Sequence, residues 1–297
     1  MQANTISKRT HRWAIGSYFF IAGITFASWA SRIPDIKEKL QLNDAELGGI
    51  LFALPAGSMV SLPISGWLVS KLGSRTVMLI AAIIYPILLL LLGTASTTFI
   101  LTSLLFCFGL LGNMMNISVN TQAVAVEELY GRSILASFHG IWSMAGFTGA
   151  AVGTLMISFG FDPLKHFSII AAAVILLALL MKFGRMPKDA VIGNQPLFVK
   201  PDKILLKLGL ISFCCMAAEG TMFDWSGIYF QKIVEAPPGL VTLGYSAFMC
   251  TMALGRFLGD GLVLRFGRKE ILQGSGIIIA IGLLIAVFIP TIVFATI

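Results

Sequence analysis

The chain has 297 residues, 57% of them hydrophobic and only 12% charged, with a formal net charge of +7. A soluble domain carries about 25% charge, so a water-soluble enzyme or binding domain is excluded and the class is a polytopic membrane protein. The basic excess does not call for nucleic acid, because Lys and Arg gather in alternate loops between apolar runs.

The first run extends from Trp13 to Ser31 behind Lys8, Arg9 and Arg12. It is too long for the core of a signal peptide and reads as a retained first helix. A helix needs ~20 residues to cross ~30 Å of hydrocarbon, and further spans are predicted near 45–69, 76–93, 99–121, 134–159, 166–183, 204–230, 240–263 and 271–289. A tenth begins near Thr291. No barrel-type alternation occurs, so helices must satisfy the backbone in lipid. With the N-terminus placed in the cytoplasm, fifteen of the 21 Lys and Arg fall inside and five outside, and Arg256 lies within a span. That bias sets the orientation. Cys107, Cys214, Cys215 and Cys250 lie in apolar runs without metal-ligand spacing and read as small packing residues.

The long connection "GRMPKDAVIGNQPLFVKP", 184–201, divides the chain after six spans. The expected organisation is a six-helix bundle over 1–183, a cytoplasmic linker over 184–203 and an incomplete second bundle over 204–297. An internal repeat supports it. "GWLVSKLGSR" (66–75) and "DGLVLRFGRK" (260–269) match, with Gly73 on Gly267, and Trp29 and Gly49 match Trp225 and Gly244 at nearly the same offset. Two related bundles of the same orientation follow. In this register helices ten to twelve, roughly 90 residues, are expected beyond the sequence, against the alternative of a nine-helix protein.

Glu219 lies at mid-depth of the seventh span, where a charge costs ~2.5–3.5 kcal/mol on insertion scales. It reads as a proton carrier, or else as a carboxyl hydrogen-bonded to a neighbouring helix. Asp224, ~140° around the same helix, reads as a structural or gating partner or as a solute contact. Asn113, Asn116 and Asn120 form one polar stripe on the fourth span. They bind solute, or they bond helices together at ~0.6 kcal/mol per bond. His139 on the fifth span reads as a packing or gate residue or as a proton relay, and with Trp142, three positions on, it is a candidate solute contact. Trp29 and Trp225 are interfacial anchors or stack on a sugar face. Arg32 reads as an outer gate or snorkelling residue, and Arg256 with Asp260 as a structural i,i+4 ion pair.

Gly66, Lys71, Gly73 and Arg75 resemble the loop signature between helices two and three of the major facilitator superfamily. Arg265, Gly267, Arg268 and Lys269 resemble its second copy. The usual acid is replaced by Ser70 in the first copy and by Leu264 in the second, where Asp260 lies one turn earlier. "SWASRIPDIKEKL" (28–40), "NISVNTQAVAVEELYGR" (116–132), "ASFHG" (136–140) and "EGTMFDWSGIYF" (219–230) resemble an uncharacterised bacterial inner-membrane branch near the fucose permeases. The resemblance implies an all-α, twelve-helix transporter with alternating access, whose helices 1, 4, 7 and 10 line a central cavity. The expected function is secondary active transport of a small polar solute, with sugars or polyols leading and H⁺-coupled import as the mode. Efflux of a small organic solute and a non-transporting membrane protein or fragment are the alternatives. The fifth span has no Gly-Pro dipeptide and the fourth no Arg, both of which argue against drug antiport. Walker, His-Glu-x-x-His and Gly-x-Ser-x-Gly motifs do not occur, so nothing supports an enzyme. No cofactor or metal is expected. The partners expected are a small-molecule solute, H⁺ and the lipid bilayer of a bacterial inner membrane, around a monomer.

Overall fold

A computed structural model describes residues 7–131, 134–181 and 202–296, without the side chains of Asp260, Leu264 and Arg268. The described residues are mostly helical, and no strand occurs among them. In chain order the helices are α1 (Lys8–Ala30), α2 (Ile33–Lys39), α3 (Asp44–Leu51), α4 (Ala53–Leu72), α5 (Ser74–Thr94), α6 (Thr98–Tyr130), α7 (Leu135–Ser158), α8 (Pro163–Met181), α9 (Lys203–Lys232), α10 (Leu243–Phe266), α11 (Arg268–Phe288) and α12 (Ile292–Thr296). Nine helical segments among the described residues are long and apolar enough to cross a membrane, α3 with α4 making one of them. The expected linker, 184–203, lies almost wholly outside the described residues.

Two helices depart from expectation. α6 continues to Tyr130, well past the expected end at 121. Hydropathy falls there, but the helix persists because Gln122 Nε2 donates to Ser74 Oγ at 2.7 Å. The helix then ends at Gly131 (φ 65°), a left-handed cap that glycine adopts without strain. Two hydrogen bonds to Glu127 start the next helix: its Oε2 accepts from the backbone N–H of Ile134 (2.6 Å) and Leu135 (2.9 Å) at the start of α7, where the N-cap residue Ile134 offers no side-chain cap. The second departure is α2, a short helix in the first loop, opened by Pro34 in its first turn.

The repeat is visible in the backbone. Gly73 (φ 79°, ψ 145°) is the only residue between α4 and α5, and Gly267 (φ 92°, ψ 155°) is the only residue between α10 and α11. Both turns need a positive φ that side-chain-bearing residues resist. That accounts for the matching glycines in the two loop signatures.

The first half, α1 to α8, is closely packed. α4 meets α6 through Gly57 and Gly109, where an added Cβ would run into the carbonyls of Phe106 and Leu54. Small residues allow this approach, which is how membrane helices gain dispersion contact without a hydrophobic drive. Buried residues make up 78% of the most apolar window of the α1 span but none of that of α9 or α11. The outer surface is apolar, including Phe99 (80% exposed) and Ile278 (71% exposed). All four cysteines are free and exposed on it, which corrects the expectation that they pack inside; a lipid-facing surface accepts a small apolar thiol as readily as a core does. Trp13 and Trp67 are also exposed, at the end where α1 begins and α4 stops.

Candidate functional site

The helices α1 and α9 begin at the same end of the bundle, here the near end. At the far end the two halves touch. Lys232, last in α9, places Nζ 3.4 Å from Asp44 Oδ1 at the start of α3, and Lys37 of α2 pairs with the same carboxylate. Trp225 lies over Gly48, and Pro34 packs on Gly227. Thr154 and Thr242 join hydroxyls across the α7 and α10 seam. Toward the near end α7 still packs on α10, with Gly140 beneath Phe257, but residues 203–217 of α9 are all exposed. The halves therefore meet at the far end, while at the near end residues 203–217 of α9 stand clear of the other described residues.

Between them lies a cavity of about 380 Å³. The first half supplies Phe19, Phe26, Ser58, Tyr85, Asn113, Asn116, His139 and Trp142; the second supplies Met216, Glu219 and Arg256. Spans one, four and seven all contribute, as the family resemblance implies, and spans two, three, five and eight contribute too. Phe223, one turn beyond Glu219 on α9, blocks the way to the far end. Its ring meets Phe26 (5.1 Å), Trp142 (5.9 Å), Tyr245 (5.8 Å) and Phe248 (5.3 Å), so both halves grip it.

The polar groups divide by half. Asn113 Nδ2 donates to the Ser58 carbonyl at 3.1 Å, which fixes its amide against α4. Asn120 Nδ2 donates to Asn116 Oδ1 at 2.7 Å and to its carbonyl at 2.8 Å. Asn120 thus sets the orientation of Asn116 and does not itself line the cavity, a change from the expected three-residue contact. Its cause is the i,i+4 spacing, which lets the two amides bond each other. Across the cavity, Arg256 Nη2 stands 3.9 Å from Glu219 Oε1, and Arg256 Nη1 donates to the His139 carbonyl at 3.3 Å. The guanidinium carbon lies 5.6 Å from the Trp142 ring centroid. Phe19 holds the His139 imidazole edge-on at 5.4 Å.

Other expected residues lie elsewhere. Trp29 is 1% exposed inside the first half, neither at an interface nor at the cavity. Trp225 belongs to the far-end contact. Asp224 is half-buried beside Phe223 on α9. Arg32 neither snorkels nor spans the halves. It is 2% exposed, and all its hydrogen bonds stay in the first half: Nε to His166 Nδ1 (3.2 Å), Nη1 to Asp35 Oδ2 (3.2 Å) and Nη2 to the Phe161 carbonyl (2.9 Å). It ties α1 and α2 to α8. The loop cations stack locally, Lys71 on Trp67 at 4.7 Å and Arg265 on Phe266 at 5.2 Å. The expected partner of Arg256, Asp260, lies outside the described side chains, as does Arg268. Arg256 itself turns to Glu219 and His139.

Sequence reasoning missed Arg256 as a cavity residue. The signal was present: an intramembrane Arg is a functional candidate by default, and a nearby Asp260 drew attention away. Tyr85 and Ser58 gave no comparable signal, because hydroxyl side chains are common in membrane helices.

A helical membrane bundle in two halves around a largely apolar cavity of about 380 Å³ with a few convergent polar groups is the architecture of a membrane transport protein. The chain belongs to the Major Facilitator Superfamily, whose family model matches residues 14–297. An uncharacterised MFS-type transporter of Yersinia pestis is 34% identical over 275 residues, covering 92% of this chain and 71% of the relative. A candidate 2,3-dihydroxypropane-1-sulfonate exporter of Salmonella typhimurium is 26% identical, covering 64% of this chain and 45% of the relative. Among solved structures, a bacterial homologue of the human lysosomal transporter Spinster, inward-facing and unoccupied, aligns with TM-score 0.69 at 17% identity. That alignment covers 98% of this chain and 71% of the other. The family is one of transporters, so the chain is not an enzyme.

Proposed function

We propose that the protein carries a small hydroxylated solute across a bacterial inner membrane by alternating access, importing it together with protons. The near end is then cytoplasmic, in keeping with the Lys and Arg bias, and the conformation described is open inward. The observation that carries this reading is the cavity between the halves. Its amides, Asn113 and Asn116, suit hydroxyl recognition, and opposite them sits a titratable group, Glu219, which lacks a hydrogen bond among the described residues. Desolvation disfavours a carboxylate charge, so occlusion favours loading Glu219 with a proton and hydration favours its release. His139 and Trp142 complete the binding wall, and Asp224 and Lys232 belong to the closing end.

Efflux is the second reading, favoured by the exporter name of the Salmonella relative. Proteoliposomes separate the two. With a proton gradient directed inward, uptake of labelled sugars or polyols above the equilibrium level supports import. Solute extrusion against its own gradient in vesicles of the same orientation would replace import with efflux. A protein that responds to the proton gradient in neither direction would sink the coupling.

A further inference from the structure

Two buried or half-buried arginines are satisfied very differently. Arg32 uses all three guanidinium nitrogens in hydrogen bonds at 2.9–3.2 Å, as a structural arginine does. Arg256 offers the same five N–H donors but makes one hydrogen bond among the described residues, to the His139 carbonyl, and that one is long at 3.3 Å. Its distance to Glu219 Oε1, 3.9 Å, is an ion-pair distance and not a hydrogen bond. A membrane-embedded cation with free donors is expensive unless a partner arrives. The guanidinium carbon lies 5.6 Å from the Trp142 ring centroid, and the side chain lines the cavity. A planar fork of this kind matches a carboxylate or sulfonate through paired N–H···O bonds.

From this geometry we propose that the solute carries one oxyanion group, carboxylate or sulfonate, which binds Arg256 in place of Glu219 while its hydroxyls reach Asn113 and Asn116. The proposal rests on the cavity being the transport site and goes beyond it by naming the solute class: a small hydroxylated monoanion, not a neutral sugar. It also links solute to proton. While Glu219 faces Arg256, the cation favours its charged form. Once the oxyanion takes the guanidinium, Glu219 loses that counter-charge and takes up one H⁺ from hydronium in the bulk solvent on the loading side, releasing it on the other side, so anion and H⁺ cross together with no net charge.

Calorimetric titration of the purified protein in detergent tests this with matched probes: D-gluconate against D-glucitol, and D-glycerate against glycerol. In each pair the carbon chain is kept and a carboxylate replaces a CH₂OH. Hydrogen bonds to a charged group predict about ten- to a hundred-fold tighter binding of the anion. Arg256→Gln should erase that preference, and Arg256→Lys should keep part of it. The Lys variant carries the test should the Gln variant fail to give monodisperse protein. Equal or tighter binding of the neutral polyols overturns the anion proposal and leaves the transport reading standing, as does a preference that survives in Arg256→Gln. Binding of none of the four probes counts against both.

Discussion

On the first-half side of the cavity, beside Ser58, Tyr85 and His139, two amides are each held by a neighbour: Asn113 by the Ser58 carbonyl, Asn116 by Asn120. On the second-half side stand charges held loosely, with Glu219 and Arg256 3.9 Å apart. Packing follows the same division. The first half brings α4 and α6 into backbone contact at Gly57 and Gly109; in the second half Gly244 of α10 packs on Phe230, and Gly255, Gly259 and Gly261 have open space among the described residues. A rigid wall with fixed amides can read the shape of a solute. A loosely held charged wall can change partners during the cycle. On the proposed function, the amides of the first half read the hydroxyls, while Arg256 and Glu219 of the second half join recognition of the oxyanion to coupling.

The packing contrast is broken most severely by Gly57→Val. The new side chain would strike the Phe106 carbonyl, so the helices must separate. Overpacking costs typically 1–3 kcal/mol, and a clash with backbone belongs at about 3 kcal/mol. The yield of monodisperse protein after detergent extraction should fall to a small fraction of the parent. Gly255→Val, on the open face of α10, should leave yield within a factor of about two. Equal losses in both variants would show that the halves are packed alike.

The coupling side is tested by Glu219→Gln. The amide keeps the shape and cannot carry a proton. Accumulation driven by a proton gradient should drop to the equilibrium level, while solute exchange across the vesicle membrane partly survives. Accumulation unchanged in the variant would move coupling to another group. The recognition side is tested by Asn116→Ala. Asn116 is exposed at the cavity; if the occluded solute buries its contact, losing that partner costs about 1–3 kcal/mol, so apparent affinity should fall roughly five- to a hundred-fold. Asn120→Ala only frees the Asn116 amide to rotate, and a loss of about two- to five-fold is expected, near the value of one net hydrogen bond. If Asn120→Ala instead matched Asn116→Ala, Asn120 would be touching solute in another conformation.

The division into spans was legible because lipid imposes a length and a composition on every crossing helix. Glu219 was legible for the same reason, since an acid in an apolar run stands out. The second-half partner was not. Arg256 has Asp260 one turn away in sequence, and periodicity reveals such local pairs, while its contact with Glu219 joins two helices 37 positions apart in the chain. Trp29 shows the converse error. Its match to Trp225 in the repeat suggested equivalent roles, yet α1 is the buried spine of its half and α9 is open, so the same residue type meets protein in one place and the far-end contact in the other. Repeat position fixes backbone placement, as Gly73 and Gly267 demonstrate, but not the surroundings of a side chain.

The smallest effect is expected at the far end, where the halves meet through exposed charges. Lys37 and Lys232 share Asp44, and only Lys232 belongs to the second half. Lys232→Ala therefore removes an attraction across the halves without unpairing Asp44, which keeps Lys37. Solvent-exposed ion pairs are worth about 0.2–1 kcal/mol, so the ratio of far-closed to far-open protein should fall by only about 1.4- to 5-fold. Thr154 and Thr242, the Phe223 rings and the Trp225 contact remain to hold the end shut. Single-molecule distance measurements between labels on the far ends of α2 and α9 would report the ratio directly. High salt should shrink the parent's far-closed population toward that of the variant, because screening acts on exposed charges. A shift of a hundred-fold would mean that the charge carries the closure, and that the aromatic contacts gripping Phe223 are loose in the working protein. Asp44→Ala supplies the sharper control. It removes the shared acceptor, leaves two lysines facing each other across the halves, and should open the far end further than Lys232→Ala does.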